Sequence, residues 1–254
     1  MHETTQAPHT YKAPDGIRIY AVGDIHGRAD LLLQLLEMIE DDHVKRGAGE
    51  RIIIFLGDYV DRGPASREAV DMLLNLRADG ANVRFLCGNH EWFVRDFLGD
   101  MARSALWMRN GGLSTLLSYD APLDDLQNVD WSDIENAAPF RDEVAKLIPP
   151  AHLNFYGALE TSARLGGYFF AHAGVRPGVA LDAQSDHDLL WIREEFLESD
   201  QDFGAVVVHG HTPIPKPASL ANRIGIDTLA WKSGRLTCVG LEGSDRWFLT
   251  TSAA

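Results

Sequence analysis

Three apolar runs, each closed by a glycine, stand out in the N-terminal part of the chain: IRIYAVGDIHG at residues 17–27, RIIIFLGDYVDRG at 51–63 and NVRFLCGNHE at 82–91. Each run is typical of a strand that is buried on both faces, and polar residues follow each closing glycine. Because parallel strands end at the same edge of a sheet, these polar residues are predicted to meet in one crevice.

The two segments between these runs have helical spacing. Apolar residues recur there at i, i+3, i+4 and i+7, as on one face of an amphipathic helix. The resulting strand–helix order predicts an α/β (α+β) fold with parallel strands and right-handed crossovers. The predicted apolar faces consist of Leu32, Leu35, Leu36 and Ile39 in the first helix, and of Ala69, Met72, Leu73 and Leu76 in the second.

The rest of the chain has a different character. Residues 99–150 contain acidic stretches, a Gly-Gly pair and a closing Pro-Pro pair, which favour irregular helices covering the crevice face. The part after residue 150 is mostly strand-like. We expect one domain over 15–254, preceded by a flexible tail at 1–14. Further strands are predicted at 154–161, 168–171, 205–208, 223–226, 236–239 and 247–250.

The charge of the chain excludes some partners. Lys and Arg number 23 against 37 Asp and Glu, which gives a formal net charge of −14. Such a surface repels nucleic acid and anionic membranes, so neither is an expected partner and a nuclease is disfavoured. The sequence has neither a membrane-length apolar run nor a secretion signal, which predicts a cytoplasmic protein. Cys87 and Cys238 are too few for a disulfide framework.

The polar residues at the three strand ends form a candidate metal site. Asp24 and His26 follow the first strand, Asp58 follows the second, and Asn89 and His90 follow the third. This set offers oxygen and nitrogen without thiolate, which suits Mn, Fe, Zn or Co better than calcium.

Two further histidines, His172 and His211, end strand-like runs later in the chain. Together these donors exceed what one metal with an open position takes from a protein. A carboxylate shared by two ions about 4 Å apart accounts for the number, and such a pair suits in-line displacement at phosphorus. We therefore expect two divalent metals, manganese first, with iron or zinc as alternatives.

The three N-terminal motifs, in this order and spacing, resemble the signature of PPP-type serine/threonine protein phosphatases, which belong to the calcineurin-like metallophosphoesterases. Later motifs are similar to the bacterial and phage lambda phosphatase branch: HAG at 172–174, LWIRE at 190–194, GHTP at 210–213 and IDT at 226–228. The resemblance implies a β-sandwich flanked by helices, in four αββα layers.

The resemblance also implies which residues hold the metals. Asp24 and His26 would bind the first ion, and Asp58 would bridge the two. The second ion would be held by Asn89, His172 and His211. His209 competes with His211 for its role, and the match of Gly-His-Thr-Pro to the family pattern favours His211.

Four more residues match catalytic positions of the family. Arg62 and Arg193 match the phosphate-binding arginines, whose guanidinium forks fit pairs of phosphate oxygens. His90 matches the general acid for the leaving oxygen, and Asp61 matches the carboxylate that orients it. The nucleophile would be a water activated by the metals.

Two activities and one non-catalytic role remain open. The leading prediction is a phosphatase acting on phosphoserine and phosphothreonine in proteins, and on phosphotyrosine as an extension. The alternative is hydrolysis of a small phosphoanhydride such as a diadenosine polyphosphate. A binding module on this scaffold is disfavoured, because it would have lost a ligand or His90. Thiol phosphatases are excluded because neither cysteine begins a Cys-x5-Arg motif. A P-loop is excluded at residues 57–63 because Pro64 stands where that motif needs lysine.

Overall fold

A computed structural model describes residues 11–47 and 49–252, without the side chains of residues 125 and 127. In this part of the chain, two five-stranded mixed sheets form the centre of the protein. The strands are β1 Ile17–Val22, β2 Glu50–Phe55, β3 Val83–Phe85, β4 Ser162–Leu165, β5 Tyr168–Ala171, β6 Val206–His209, β7 Ala218–Ser219, β8 Arg223–Gly225, β9 Thr237–Glu242 and β10 Asp245–Thr250. The first sheet has the order β10-β9-β1-β2-β3, and the second has the order β4-β5-β6-β8-β7.

Helices connect and cover these strands. They are α1 Ala29–Lys45, α2 Ser66–Ala78, α3 Asn89–Leu98, α4 Ser104–Trp107, α5 Leu113–Ser118, α6 Leu123–Asn128, α7 Ile134–Leu147, α8 Pro150–Gly157, α9 Asp186–Trp191, α10 Glu194–Leu197 and α11 Ala230–Ser233, with a wide turn at Met108–Gly112 and a 3₁₀ turn at Leu181–Ala183. Among the described residues, none of these helices is long and apolar enough to cross a membrane.

The predicted β-α-β-α-β unit is confirmed. Strands β1, β2 and β3 pair in parallel, with Ile19 beside Ile52 in the register of the first pair. Alternate side chains face opposite layers: Ile19 packs between the two sheets, whereas Tyr20 packs under the helices. Both faces of the strand are therefore buried, which is why the sequence reads as a continuous apolar run.

The second sheet is built in the same way. Tyr168 and Phe170 of β5 face the first sheet, whereas Phe169 packs with Leu189 and Phe196 on the outer side. The layers are therefore helices, sheet, sheet and helices, and the predicted four-layer αββα sandwich is confirmed.

One predicted strand is wrong. Residues 154–161 were expected to be extended, but the first four of them lie in α8, which begins at Pro150. Proline fits the first turn of a helix, where its missing N–H costs nothing. His152, Phe155 and Tyr156 then fall three and four residues apart and are buried together, which is a helical pattern that the aromatic residues had obscured.

Part of the predicted N-terminal tail can be described. Residues 1–10 lie outside the described residues. Ala13 is buried, and its N–H donates to the Gly243 carbonyl at 2.8 Å. The Gly167 N–H donates to the Lys12 carbonyl at 2.8 Å, so this short segment lies against the turns that join β9 to β10 and β4 to β5.

Candidate metal centre

The predicted site residues lie at the carboxyl ends of the central strands, where the two sheets meet. Asp24 and His26 follow β1, Asp58 follows β2, and Asn89 is the first residue of α3 after β3. From the second sheet come His172, which follows β5, and His211, which follows β6. All of these side chains are buried.

The Asp58 carboxylate stands at the centre of two overlapping groups. Its ligand atoms and those of His26 and His90 lie within 4.8 Å of one another, and the same is true of its atoms with those of His172 and His211. One carboxylate is thus shared by two sets of imidazoles, which is the arrangement that a bridged pair of metals requires.

In the second group the lone pair of one histidine faces acceptor oxygens. The Nδ1 of His172 lies 3.0 Å from the Leu56 carbonyl, which can only accept, so Nδ1 carries the proton and Nε2 carries a lone pair. That Nε2 faces two more acceptors, Asn89 Oδ1 at 2.9 Å and Asp58 Oδ1 at 3.4 Å. A cation among these atoms would convert repulsion into coordination, and a backbone partner on the other ring nitrogen is usual for metal-binding histidines.

His211 completes this group. Its Nδ1 lies 2.8 Å from Asn89 Oδ1 and 3.2 Å from His172 Nε2. Burial, reinforced by the neighbouring His172, lowers the pKa of His211 to about 2. The imidazole is therefore neutral at physiological pH, as a metal ligand must be. His209 points elsewhere, with its Nδ1 3.1 Å from the Gly210 carbonyl and its ring against Phe196.

His26 in the first group is held in the same way. Its Nδ1 lies 2.8 Å from the Val60 carbonyl, so its Nε2 is again a lone pair. Burial, with the repulsion of His90, lowers its pKa to about 3. This lone pair differs from that of His172 in having a positively charged donor, the Arg62 guanidinium, at 3.1 Å.

Three carboxylates lie close enough to affect one another. Burial followed by repulsion from Asp227 and Asp58 raises the pKa of Asp24 well above its usual value. Burial is also the main cause that raises the pKa of Asp227 to about 6. For Asp58 burial acts in the same direction, but the surrounding imidazoles hold its pKa below the usual range. Crowded carboxylates of this kind are stabilised by a bound cation.

Asp24 does not belong to either compact group. Its carboxylate accepts the His211 N–H at 3.1 Å, and His90 completes the first group with His26 and Asp58. Sequence reasoning had put Asp24 in that position. Asp227, which follows β8 and was assigned no role, adjoins Asp24, and its position after a buried strand was the signal that could have identified it.

His90 and Asp61 form a buried hydrogen-bonded pair. The Nδ1 of His90 donates to Asp61 Oδ2 at 2.5 Å. Burial disfavours the charged imidazole, but Asp58 and the bond to Asp61 together raise the pKa of His90 above its usual value. A protonated imidazole directed by a carboxylate can deliver a proton to a nearby oxygen.

Two arginines line the opening of the site. The Arg62 guanidinium lies 3.1 Å from His26 Nε2 and 3.2 Å from His90 Nε2. Arg193 is at the start of α10, and its side chain donates to the Thr212 hydroxyl at 3.4 Å. These are two permanent positive charges beside the buried ligand atoms, where an anionic ester would be attracted.

The backbone that presents these side chains is strained and braced. Positive φ angles, which cost a non-glycine residue about 1–3 kcal/mol, occur at His26, Asp58, Asp61, Arg62 and His211. The buried Glu91 carboxylate braces the turn after β2, because it accepts the N–H groups of Asp58 at 2.8 Å and Tyr59 at 2.7 Å. Gly88 is required beside it, since a Cβ there would lie 2.1 Å from Asp58 Oδ1.

Residues 17–233 match the family model of the calcineurin-like phosphoesterases, and the chain belongs to this family. The asymmetrical bis(5'-nucleosyl)-tetraphosphatase PrpE of Anoxybacillus flavithermus is 26% identical over 237 residues, which are 86% of this chain and 88% of that relative. The serine/threonine-protein phosphatase BSL2 of Arabidopsis thaliana is 38% identical, but over only 81 residues, which are 32% of this chain and 8% of that relative.

A solved structure of a candidate diadenosine tetraphosphatase has the same fold. It superposes with a TM-score of 0.61 at 20% identity, covering 98% of this chain and 100% of that one. The protein is therefore a hydrolase of the metallophosphoesterase type, whose family uses a binuclear divalent metal centre.

Proposed function

We propose that this protein hydrolyses dinucleoside polyphosphates such as diadenosine tetraphosphate at a binuclear metal centre. The observation that supports the hydrolytic centre is the shared Asp58 carboxylate with lone pairs facing it from both sheets. The substrate is suggested by the PrpE relative, because that similarity extends over most of both chains, including the helical segment that covers the site.

An aromatic cavity next to the centre also supports a nucleotide substrate. Trp92, Phe93 and Trp191 line a space of about 310 Å³. The Trp191 ring centroid lies 6.3 Å from that of His211, and the Phe93 centroid lies 6.0 Å from that of His90. A base stacked on these rings gains about 1–3 kcal/mol and leaves its phosphates beside the imidazoles.

Each residue of the site has one role in the proposed hydrolysis. In our proposal Asp24, His26 and Asp58 hold one ion, and the other is held by Asp58, Asn89, His172 and His211. Two ions held there, manganese in our expectation, would acidify a water molecule and neutralise phosphate charge. Arg62 and Arg193 bind the phosphate oxygens. A water that has released one proton to solvent bonds through its oxygen to phosphorus, the phosphoanhydride bond breaks, and His90 gives its proton to the leaving oxygen.

A phosphoprotein is the second candidate substrate, and the His90–Asp61 pair favours it. An alkoxide leaving from phosphoserine is a strong base and needs a proton, whereas a nucleotide phosphate leaves as a stable anion. A positioned acid therefore has more to contribute to ester cleavage than to anhydride cleavage. The likeness of the sequence motifs to the phage lambda phosphatase branch points the same way.

The experiment that separates these candidates starts from protein stripped with chelator. Turnover of diadenosine tetraphosphate, a phosphoserine peptide and p-nitrophenyl phosphate is then measured with and without manganese. We expect manganese to restore activity, with kcat/KM highest for the dinucleotide. Peptide turnover above that of the dinucleotide would replace the first candidate by the second, and no metal-dependent turnover of any substrate would contradict both.

The cavity has its own test. Trp191→Ala should raise KM for the dinucleotide by roughly 10-fold, which corresponds to about 1.4 kcal/mol of lost stacking, and leave KM for p-nitrophenyl phosphate nearly unchanged. The matched control is Trp131→Ala, because Trp131 packs against Phe97 and Phe140 and lies outside the cavity. An equal rise for both substrates would argue against a base in this cavity.

A further inference from the structure

We propose that Trp107 and Thr115, from the helical segment that crosses the site, are positioning residues that hold Asp61 against His90 and so direct proton delivery to the leaving oxygen. This inference rests on the proposed role of His90 as the acid. It gives the segment 104–118 a part in the reaction, where its sequence had indicated only a cover.

Both oxygens of the Asp61 carboxylate are bonded by this segment. The indole N–H of Trp107 donates to Oδ2 at 2.8 Å, which is the same oxygen that accepts from His90. The Thr115 hydroxyl donates to Oδ1 at 2.5 Å and also lies 2.8 Å from the Asp61 N–H. A carboxylate held at both oxygens cannot rotate, so the imidazole bonded to it is held in one orientation as well.

The same segment supports a strained piece of backbone. Asp61 and Arg62 have φ angles of 73° and 68°, in the left-handed region. The Arg62 N–H donates to the Gly111 carbonyl at 3.4 Å, and the Ser114 hydroxyl donates to the Arg62 carbonyl at 3.4 Å. Gly111 itself has φ 110°, and a Cβ there would lie 2.7 Å from the backbone nitrogen of Arg62. The segment thus contacts the acid-orienting residue and the phosphate-binding residue together.

Packing alone does not account for these contacts. Trp107 is buried, and its ring centroid lies 4.9 Å from that of Phe97. A phenylalanine in place of Trp107 could also pack against Phe97. What phenylalanine lacks is the N–H directed at Asp61. Thr115 is buried between Ser66 and Asp61, a place where isosteric valine would fit but could not donate.

The expected consequence is selective for the leaving group. In the step at issue a water that has released one proton to solvent bonds through its oxygen to phosphorus, the bond from phosphorus to the leaving oxygen breaks, and the His90 proton moves to that oxygen. Phenolate accepts the proton at its oxygen more readily than p-nitrophenolate, which leaves as a stable anion. Loss of orientation at His90 should therefore slow phenyl phosphate much more than p-nitrophenyl phosphate.

The experiment compares Trp107→Phe and Thr115→Val with wild type on these two esters, using manganese-loaded protein. We expect kcat for phenyl phosphate to fall roughly 10-fold or more, as part of the typical contribution of a general acid, and kcat for p-nitrophenyl phosphate to change little. Thr115→Ser keeps the hydroxyl and should recover most of the lost turnover. Trp131→Phe is the matched control, since the Trp131 N–H donates to the Leu126 carbonyl at 3.3 Å and not to Asp61.

A second readout does not depend on turnover. In zinc-loaded protein with isotope-labelled histidine, the Nδ1 proton of His90 should resonate far downfield because of its short bond to Asp61. We expect this resonance to move upfield or broaden in Trp107→Phe and Thr115→Val, and to stay in place in Trp131→Phe. If one variant does not fold, the other provides the comparison.

Two outcomes would overturn the inference. Equal losses on both esters would mean that the residues support the fold and not proton delivery, and so would an unshifted His90 resonance in both variants. A wild-type protein that hydrolyses no phosphate ester would instead contradict the proposed function. In that event the His90 resonance alone decides whether Trp107 and Thr115 hold the pair.

Discussion

The two groups of imidazoles around Asp58 differ in what satisfies their lone pairs. In the first group, the Arg62 guanidinium lies 3.1 Å from His26 Nε2 and supplies a donor. In the second, His172 Nε2 faces oxygens of Asn89 and Asp58 at 2.9 and 3.4 Å. The first group therefore has a positively charged substitute for a metal and the second has none. We therefore expect the second group to bind its ion more tightly and to release it last.

Replacing the shared carboxylate should have the largest effect, because it removes the connection between the two groups. Asp58→Asn should lower kcat/KM by on the order of 10³-fold, and the variant should bind fewer metal ions than the wild-type protein. Activity and metal content are measured on the same samples. The control is Asp142→Asn, an exposed carboxylate bonded to Arg141 at 2.6 Å. Full metal content in Asp58→Asn would mean that the two groups do not share this ligand.

Removing one imidazole from each group tests their order directly. His211→Ala should weaken the tightly held ion, and His26→Ala the loosely held one. Each loss should be at least about 10–100-fold in affinity, the range seen when even an outer partner of a ligand is removed. Stepwise release to a competing chelator measures both. If His26→Ala abolished the tighter step, the proposed order would be reversed.

The acidic side of the site predicts a pH dependence in metal-free protein. The pKa of Asp227 is raised from 3.8 to about 6 in the folded chain. As pH rises, the unfolded chain loses this proton at a lower pH than the folded chain does. The free energy of unfolding should therefore fall as pH rises from 3.8 to about 6. Thermal unfolding across this pH range is the measurement. Asp227→Asn should flatten this part of the profile, and an unchanged slope would show that Asp227 does not cause it.

The smallest effect concerns Arg62 as the substitute for a metal. Arg62→Ala should lower the free energy of unfolding of metal-free protein by about 1 kcal/mol, because it leaves His26 Nε2 without its donor. With metal bound the loss should shrink, since the ion then satisfies that nitrogen. Denaturant unfolding of both forms measures the difference. Equal losses in the two forms would mean that Arg62 does not take the place of a metal at His26.

The sequence predicted most of the site because of where its residues stand in the chain. Asp24, Asp58 and Asn89 each follow an apolar run and a glycine, and the parallel topology brings such positions together. His172 and His211 follow the same rule in the second sheet. The buried parallel strands could be predicted because they leave a continuous apolar signal, whereas the β-sandwich was implied by the family resemblance.

What could not be predicted depends on contacts between distant segments. The role of Trp107 could not be predicted, because nothing in a short helix shows that its N–H will meet Asp61 at a separation of 46 residues. The strand expected at 154–161 was wrong because aromatic residues such as Phe155 and Tyr156 occur both in strands and in buried helices. Pro150 favours the start of a helix, and α8 begins there. Short irregular helices carry too few residues for their periodicity to be read.

The bond from His172 to the Leu56 carbonyl also has a consequence for how the protein assembles. It joins the two sheets across 116 residues of chain, so the second group of ligands exists only after both sheets have formed and docked. Closing so long a loop is slow compared with forming the local β-α-β unit. During refolding, metal uptake by this group should follow the burial of the inter-sheet core, which makes the ion a reporter of the last step of folding.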